Sequence, residues 1–592
     1  MNYTDNPRKV YGKVEIVYSD AAVSKEIECT QSGNSEISHP NEVYWGYAVP
    51  SVRACTMDGN STMDGSFQMM NDGCVVGWWS GQLCGADGVF ANPPYIELSF
   101  VQRPIISWTI HGDEKLGQYP VAFTLDCKRN GTIVKTLTVT NNQSVKLNVE
   151  PKVDDITEIR LTVQKWSHPN ACAKILQFYE SLFEVYEGDA MQMFEVNEEQ
   201  SAADGNYNIN SDTMTVTLHN TDRKFDKGYL RSLVVLDRKI TPSIGIENEN
   251  GEIEYTPLGT FYSDEWQMSQ DSQWVKCLGV DKLLRMQART YIGYPLADNV
   301  SLYEIAEHIL VQSGLRPSEF VISESLKDIV VGTAYLPKTT TWDALQELAN
   351  AGLCRVYKDR LDRTIIRSEE ETAVKSTVAI TPSNMFSYVS NISLTEFANS
   401  IKVEYCEIGI EDTLVDAAEI ELALDPKEQK TVEVDYTADV AYAAAVSDNA
   451  NIRIRAFSTG VNACTITVEN IADSIQLGKI VVSGNAINIT TKSITKRDER
   501  SVEDYGVVEY MHPTSELVQS VEHAEYIATT LLEKMQAGKG VITQTWRGNP
   551  VLELGSKYES YDRFNDKSEL VCEYNKITYD GGLKQETRGR KI

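Results

Sequence analysis

Residues 10–20, VYGKVEIVYSD, alternate apolar and polar side chains, and so do residues 156–163, ITEIRLTV. A period of two sends successive side chains to opposite faces of a strand, so both stretches read as half-buried β-strands. Around them, turn-forming pairs recur at Asp58-Gly59, Asp64-Gly65, Asp72-Gly73, Asp87-Gly88, Pro93-Pro94 and Asn130-Gly131. Short strands cut by turns at this spacing predict a β-sandwich or barrel, and the chain as a whole is expected to be mainly β with a few helices.

The helices announce themselves by their ends. Ser301 followed by Glu304 is a capping box at the head of LYEIAEHILVQSGL, which Gly314 should close. Thr340 or Thr341 opens TWDALQELANAGL, closed by Gly352, and a long helix is expected over 516–536. A short one is expected near 438–446. Each carries apolar residues at i, i+3, i+4 spacing and should pack one face on a sheet. Residues 197–210 read as an exposed loop within a β-domain and 496–504 (KRDERSVED) as a solvated connection, while Asp154-Asp155 and 369–371 read as solvated acidic loops.

A chain of 592 residues exceeds one core and predicts about three to five domains. Its formal charge of −30 repels phosphate backbones, which disfavours stable nucleic-acid binding but is compatible with a wall that DNA slides past. No stretch resembles a secretion leader, and no run of apolar residues is long enough for a membrane helix. The eleven cysteines are scattered without CxxC or zinc spacing, as expected for free thiols of a protein made in a reducing cytoplasm.

No motif carries catalysis. The seven histidines, at 39, 111, 168, 219, 308, 512 and 523, form no HExxH or HxH, and GxSxG, phosphate-loop and catalytic-cysteine signatures are missing. The chain is therefore expected not to be an enzyme and to need no cofactor. Residues 58–65, DGNSTMDG, supply oxygens for a Ca²⁺ ion, although two tight turns with Asx hydrogen bonds explain them as well. Trp78 and Trp79 are adjacent, so a strand would point one inward and one outward; they are a sugar-stacking platform or core, with core the safer reading for at least one.

Residues 77–100 (GWWSGQLCGADGVFANPPYIELSF), 104–142 and 158–179 (EIRLTVQKWSHPNACAKILQFY) resemble the discoidin-like, galactose-binding-like jelly roll carried by tail proteins of phages of Firmicutes. Its elements here are a strand with Trp108, the YPVAF segment, the Asn130-Gly131 turn and a strand ending Lys165-Trp166. Residues 211–226 (SDTMTVTLHNTDRKFD), 257–266 (PLGTFYSDEW), 275–286, 339–363, 543–564 (TQTWRGNPVLELGSKYESYDRF) and 576–591 (KITYDGGLKQETRGRK) resemble phage tail hub proteins. Gly555-Ser556 stands where that pattern has Gly-Asp. Trp546 and Leu552 or Leu554 should face a core, Gly548-Asn549-Pro550 should break the strand, and Asp580-Gly581-Gly582 should close a hairpin.

The resemblance implies hub β-barrel-like domains with an inserted jelly roll: residues 1–30 as the first hub strand, 31–178 as the inserted sandwich, 179–290 as a hub barrel, 291–395 as an α/β hub domain and 396–592 as a second barrel. It implies a virion structural protein at the tail tip, assembled in the host cytoplasm as a homotrimeric ring through which DNA passes. Partners would be the distal tail or tail tube protein and the tape measure protein. Cell-surface polysaccharide is a further candidate partner, with Trp78, Trp79, Trp108 and Trp166 as candidate glycan contacts. The alternative is an adhesin that binds a carbohydrate receptor through the discoidin-like module.

Overall fold

The computed structural model describes residues 9–18, 28–33, 36–37, 77–105, 107–113, 116–180, 183–200, 207–226, 234, 236–248, 250–269, 271–368, 375–391, 397–536 and 540–591. The first strand, Val10–Val17, has the expected alternation, with Val14 and Ile16 fully buried. It pairs antiparallel with Phe183–Glu187 on one side and Lys239–Glu247 on the other. Gly12 interrupts its apolar series because the Tyr579 ring lies where a Cβ would stand.

The described residues between these neighbours, 28–180, belong to other sheets. One has five strands, in the order Glu28–Gln31, Tyr95–Ile105, Val153–Trp166, Pro120–Arg129, Thr132–Val139, and two smaller sheets have three strands each. They share one core that includes Trp78, Trp108, Phe123, Ile159, Trp166 and Phe178. The unit is thus a β-sandwich that leaves the large sheet after the first strand and re-enters beside it, an arrangement that leaves the host strands paired. Asn130 and Gly131, at φ 49° and 79°, supply the two left-handed residues of the hairpin between Pro120–Arg129 and Thr132–Val139. Asp154 and Asp155, expected in a loop, lie instead in the long strand Val153–Trp166, whose pairing shifts register there.

The host sheet has fourteen strands and curls around two cores. Val10–Val17, Phe183–Glu187, Met191–Glu199, Thr213–His219, Lys239–Glu247, Phe261–Met268 and Trp274–Val280 surround one that includes Val14, Phe194, Val216, Ile244 and Cys277. Lys375–Ile380, Met385–Asn391, Val541–Trp546, Lys557–Tyr561, Lys567–Tyr579 and Leu583–Lys591 surround the other, which holds Ile380, Ile542, Trp546, Leu552, Leu554 and Tyr558. The halves join where Met191–Glu199 pairs with Lys567–Tyr579. Neither half closes into the expected barrel. Phe183–Glu187 does not bond to Met191–Glu199, nor Lys375–Ile380 to Met385–Asn391. In both cases the connection is a corner rather than a hairpin: a single 3-10 turn at Gly188–Ala190, and a turn in which Asn384 N–H donates to Thr381 O at 3.1 Å.

Five α-helices are described: α1 (Lys282–Arg285), α2 (Leu302–Gln312), α3 (Thr341–Gly352), α4 (Glu499–Tyr505) and α5 (Val521–Gln536). The capping box at Ser301 and Glu304 forms, Thr340 Oγ1 caps α3, and the αL residue that ends α3 is Leu353. α5 begins later than expected because Ser520 Oγ accepts from His523 N–H, while Gln519 is held away from the helix by Thr333. α2, α3 and α5 form a fourth core group with Tyr207, Ile209, Ile401 and Val403. Residues 197–210 are therefore not simply an exposed loop: 197–199 end a strand, and Tyr207 and Ile209 are buried.

Residues 396–592 are likewise not one barrel. Ser400–Leu424 and Gln476–Arg497 pair over almost their whole length as an arm rooted in the helical core. Its far end carries Gln429–Asp435, Ile452–Thr459 and Ala463–Asn470 around a small core with Leu424, Ile466 and Ile480. The expected helix at 438–446 is the strand Val440–Ser447 in this arm, where pairing with 480–486 overrides the helix propensity of an alanine run. Lys496 and Arg497 end the arm, and 499–505 is α4, which buries no residue, so the segment is solvated as expected but helical.

Candidate functional site

The four candidate glycan-contact tryptophans are all interior, at 0% (Trp78), 8% (Trp79), 0% (Trp108) and 1% (Trp166) exposure. Trp108 packs between Phe100 and Phe178, with ring centroids at 6.0 and 5.2 Å. Trp166 donates its indole N–H to Gln118 at 3.1 Å, and Trp79 lies beneath the Lys174 ammonium, 4.7 Å from the ring centre. A sugar cannot stack on a ring it cannot reach, so the four residues hold the sandwich together instead. Residues 58–65 and His39 lie outside the described residues, as do 369–371. Among the described residues, no group of His, Cys, Asp and Glu is arranged to hold a metal ion.

The histidines are dispersed, and the two that approach each other cap a helix. His512 Nε2 donates to Asn350 O at 3.0 Å and His523 Nε2 to Ala351 O at 2.8 Å, so both satisfy carbonyls of the last turn of α3. Burial disfavours their charged forms: it pushes His512 down to about 4 and lowers His523. A folded-state value below the unfolded one means that the unfolded chain binds the proton more tightly. The stabilisation is then complete above about pH 6.5 and is lost as pH falls toward 4. His512→Gln should flatten the fall in thermal midpoint across that window; an unchanged slope would show that other groups set the acid sensitivity.

A buried polar assembly joins the large sheet to the hairpin of Cys354–Lys358 and Thr364–Ser368. Arg360 at its tip is buried and forks onto Glu198, Nε to Oε1 at 2.7 Å and Nη2 to Oε2 at 2.9 Å. The same guanidinium donates to the carbonyls of Pro550 and Leu552. Asn575 donates to Glu198 Oε2 at 2.9 Å and to Leu552 O, while its own oxygen accepts from Gln585 at 2.5 Å and Thr587 at 3.3 Å. Trp546 Nε1 closes the chain on Thr587 Oγ1 at 3.0 Å. Nearby, Asp362 bridges Lys282 at 2.8 Å and Lys358 at 3.1 Å. Asp281 caps α1 and accepts from the backbone N–H of Asp212 at 2.9 Å. Burial, reinforced by Asp281 and Glu198, raises the Asp212 carboxyl well above its usual value, and burial raises Asp281 to about 6.

A cleft of about 470 Å³ opens beside this assembly, lined among others by Arg363, Arg367, Lys375 and Glu553. Arg363 is already paired with Asp359, its Nε and Nη2 both 2.7 Å from Oδ2. Cys572 is fully buried, with its thiol pushed up by desolvation, the opposite of an activated nucleophile. Through the Arg360–Glu198 pair and the carbonyls of Pro550 and Leu552, the network locks the hairpin tip to the large sheet. Sequence reading missed Glu198, Arg360, Asn575, Gln585 and Thr587. A signal was present in the last strand, where the inward positions are Gln585, Thr587 and Gly589 rather than apolar residues.

No family model and no curated protein matches the chain. Solved structures that it resembles include the 43 kDa tail protein of prophage MuSo2 from Shewanella oneidensis, at 12% identity and a TM-score of 0.39, covering 69% of this chain and 95% of that one. A tail protein from Neisseria meningitidis matches at 9% identity and 0.37, over 68% and 93%. The prophage tail protein gp18 from Listeria monocytogenes matches at 9% and 0.36, over 69% and 91%.

Proposed function

We propose that the chain is a virion structural protein, a tail-tip hub or baseplate subunit that caps the tail tube and passes DNA through a ring of three copies. The observation that carries this reading is the doubling of the open barrel: two curled half-sheets, each with its own core, fused edge to edge in one chain. Three such chains offer six similar positions around an axis, which suits the end of a sixfold tube. The segments that resemble hub proteins supply both halves, and the arm and sandwich project from them. The acidic chain repels DNA, as a conduit wall should. The distal tail or tube protein and the tape measure protein are the partners this reading requires. Burial of all four tryptophans favours a packing role for the discoidin-like sandwich over adhesion.

The purified protein, 66.2 kDa per chain, is expected to scatter light as about three copies and to show rings on negative-stain grids. A 66.2 kDa species that binds host polysaccharide would replace this reading with the adhesin.

A further inference from the structure

Among the described residues, four strands of the large sheet bond a neighbour on one side only: Phe183–Glu187, Ile253–Pro257, Lys375–Ile380 and Met385–Asn391. Natural sheets protect such edges with charge or proline, because an unpaired row of N–H and C=O groups recruits other strands. Three of the four comply, with Glu184 and Glu187, with Glu254 and Pro257, and with Lys375. Met385–Asn391, MFSYVSN, has neither, and it exposes Phe386 at 58% and Val389 at 49%. In a chain of charge −30, a bare edge without a carboxylate is where a second copy can approach against the least repulsion.

Each half-barrel fails to close at a seam, and the seam strands show which edge fits. One lip of the first seam, Met191–Glu199, is already bonded to the second half-barrel within the chain. Its other lip, Phe183–Glu187, begins the path of the sheet, and Met385–Asn391 ends it. Phe183–Glu187 exposes Val185 at 42%, and of its two carboxylates Glu184 is paired with Lys224 at 2.5 Å and accepts from the Tyr186 hydroxyl at 2.8 Å.

We propose that Met385–Asn391 of one copy pairs with Phe183–Glu187 of the next, so that the second half-barrel of one chain meets the first half-barrel of the next through the two end strands of the sheet. The pairing is head to tail and therefore closes into a ring or propagates. It rests on the self-assembly in the reading above, and the test separates the two.

Val185→Cys and Val389→Cys combined in the full-length chain should give interchain disulfides on mild oxidation, up to a covalent ring, while each single variant should not. Val389→Lys should weaken self-association by about tenfold or more and leave the melting of the dissociated chain unchanged, whereas Phe564→Lys, at an exposed site elsewhere, should leave association intact. An assembly of unchanged mass in which the double variant does not cross-link overturns this pairing and spares the ring. Covalent dimers of Val389→Cys alone overturn it in favour of self-pairing of that strand. A chain that stays at 66.2 kDa at every concentration overturns both.

Discussion

Arg360→Met should destabilise the protein by about 3–5 kcal/mol, because it leaves the Glu198 carboxylate buried without its counter-ion. Both side chains are inaccessible, at 7% and 5% exposure, so water cannot take the place of the guanidinium. The Pro550 and Leu552 carbonyls lose a charged donor at the same time. Asn575 would still donate to Glu198, but one neutral donor does not balance a buried negative charge. The pair with Glu198→Gln separates the cost of an orphaned charge from the worth of the bridge. Glu198→Gln/Arg360→Met should recover much of the loss, since removing both ions also removes the desolvation penalty. Calorimetric unfolding of the four proteins completes the cycle. A loss below about 1 kcal/mol for Arg360→Met would mean that the pair behaves like a solvated surface bridge and does not lock the hairpin to the sheet.

This lock also marks where sequence reading stops. Alternation in residues 10–20 gave the strand and its buried face, and Ser301 with Glu304 gave the start of a helix, because both signals are local. Period two says which face is buried but not which strand lies alongside. The resemblance to hub proteins assigns residues 1–30 to the hub ahead of an insertion, but that Val10–Val17 sits between Phe183–Glu187 and Lys239–Glu247, and that the seams stay open, is visible only in the structure. The alanine-rich 438–446 was misread because its propensity is helical while its pairing is long-range. The site was less legible than the fold. Tryptophan is both the best sugar platform and the largest core residue, and only its surroundings decide between them. Glu198 and Arg360 are 162 positions apart in sequence, so nothing local to either shows that they meet.

Trp108→Ala should cost about 3–5 kcal/mol, but within the inserted sandwich alone. The indole fills the centre of that core between Phe100 and Phe178, and its removal leaves a cavity that two β-sheets cannot collapse to fill. None of the sandwich core residues belongs to the core of the half-barrel into which the unit is inserted. Val10–Val17 finds its partners, Phe183–Glu187 and Lys239–Glu247, outside the insertion. Heating should therefore give at least two calorimetric transitions, of which only one moves in the variant, and proteolysis during that transition should cut within 28–180 and spare the remainder. If the half-barrels alone make the ring, the variant should also assemble as the wild type does below that transition. A single transition that shifts as a whole would show instead that the sandwich and the large sheet unfold as one unit, and would make the insertion a load on the assembly rather than a passenger.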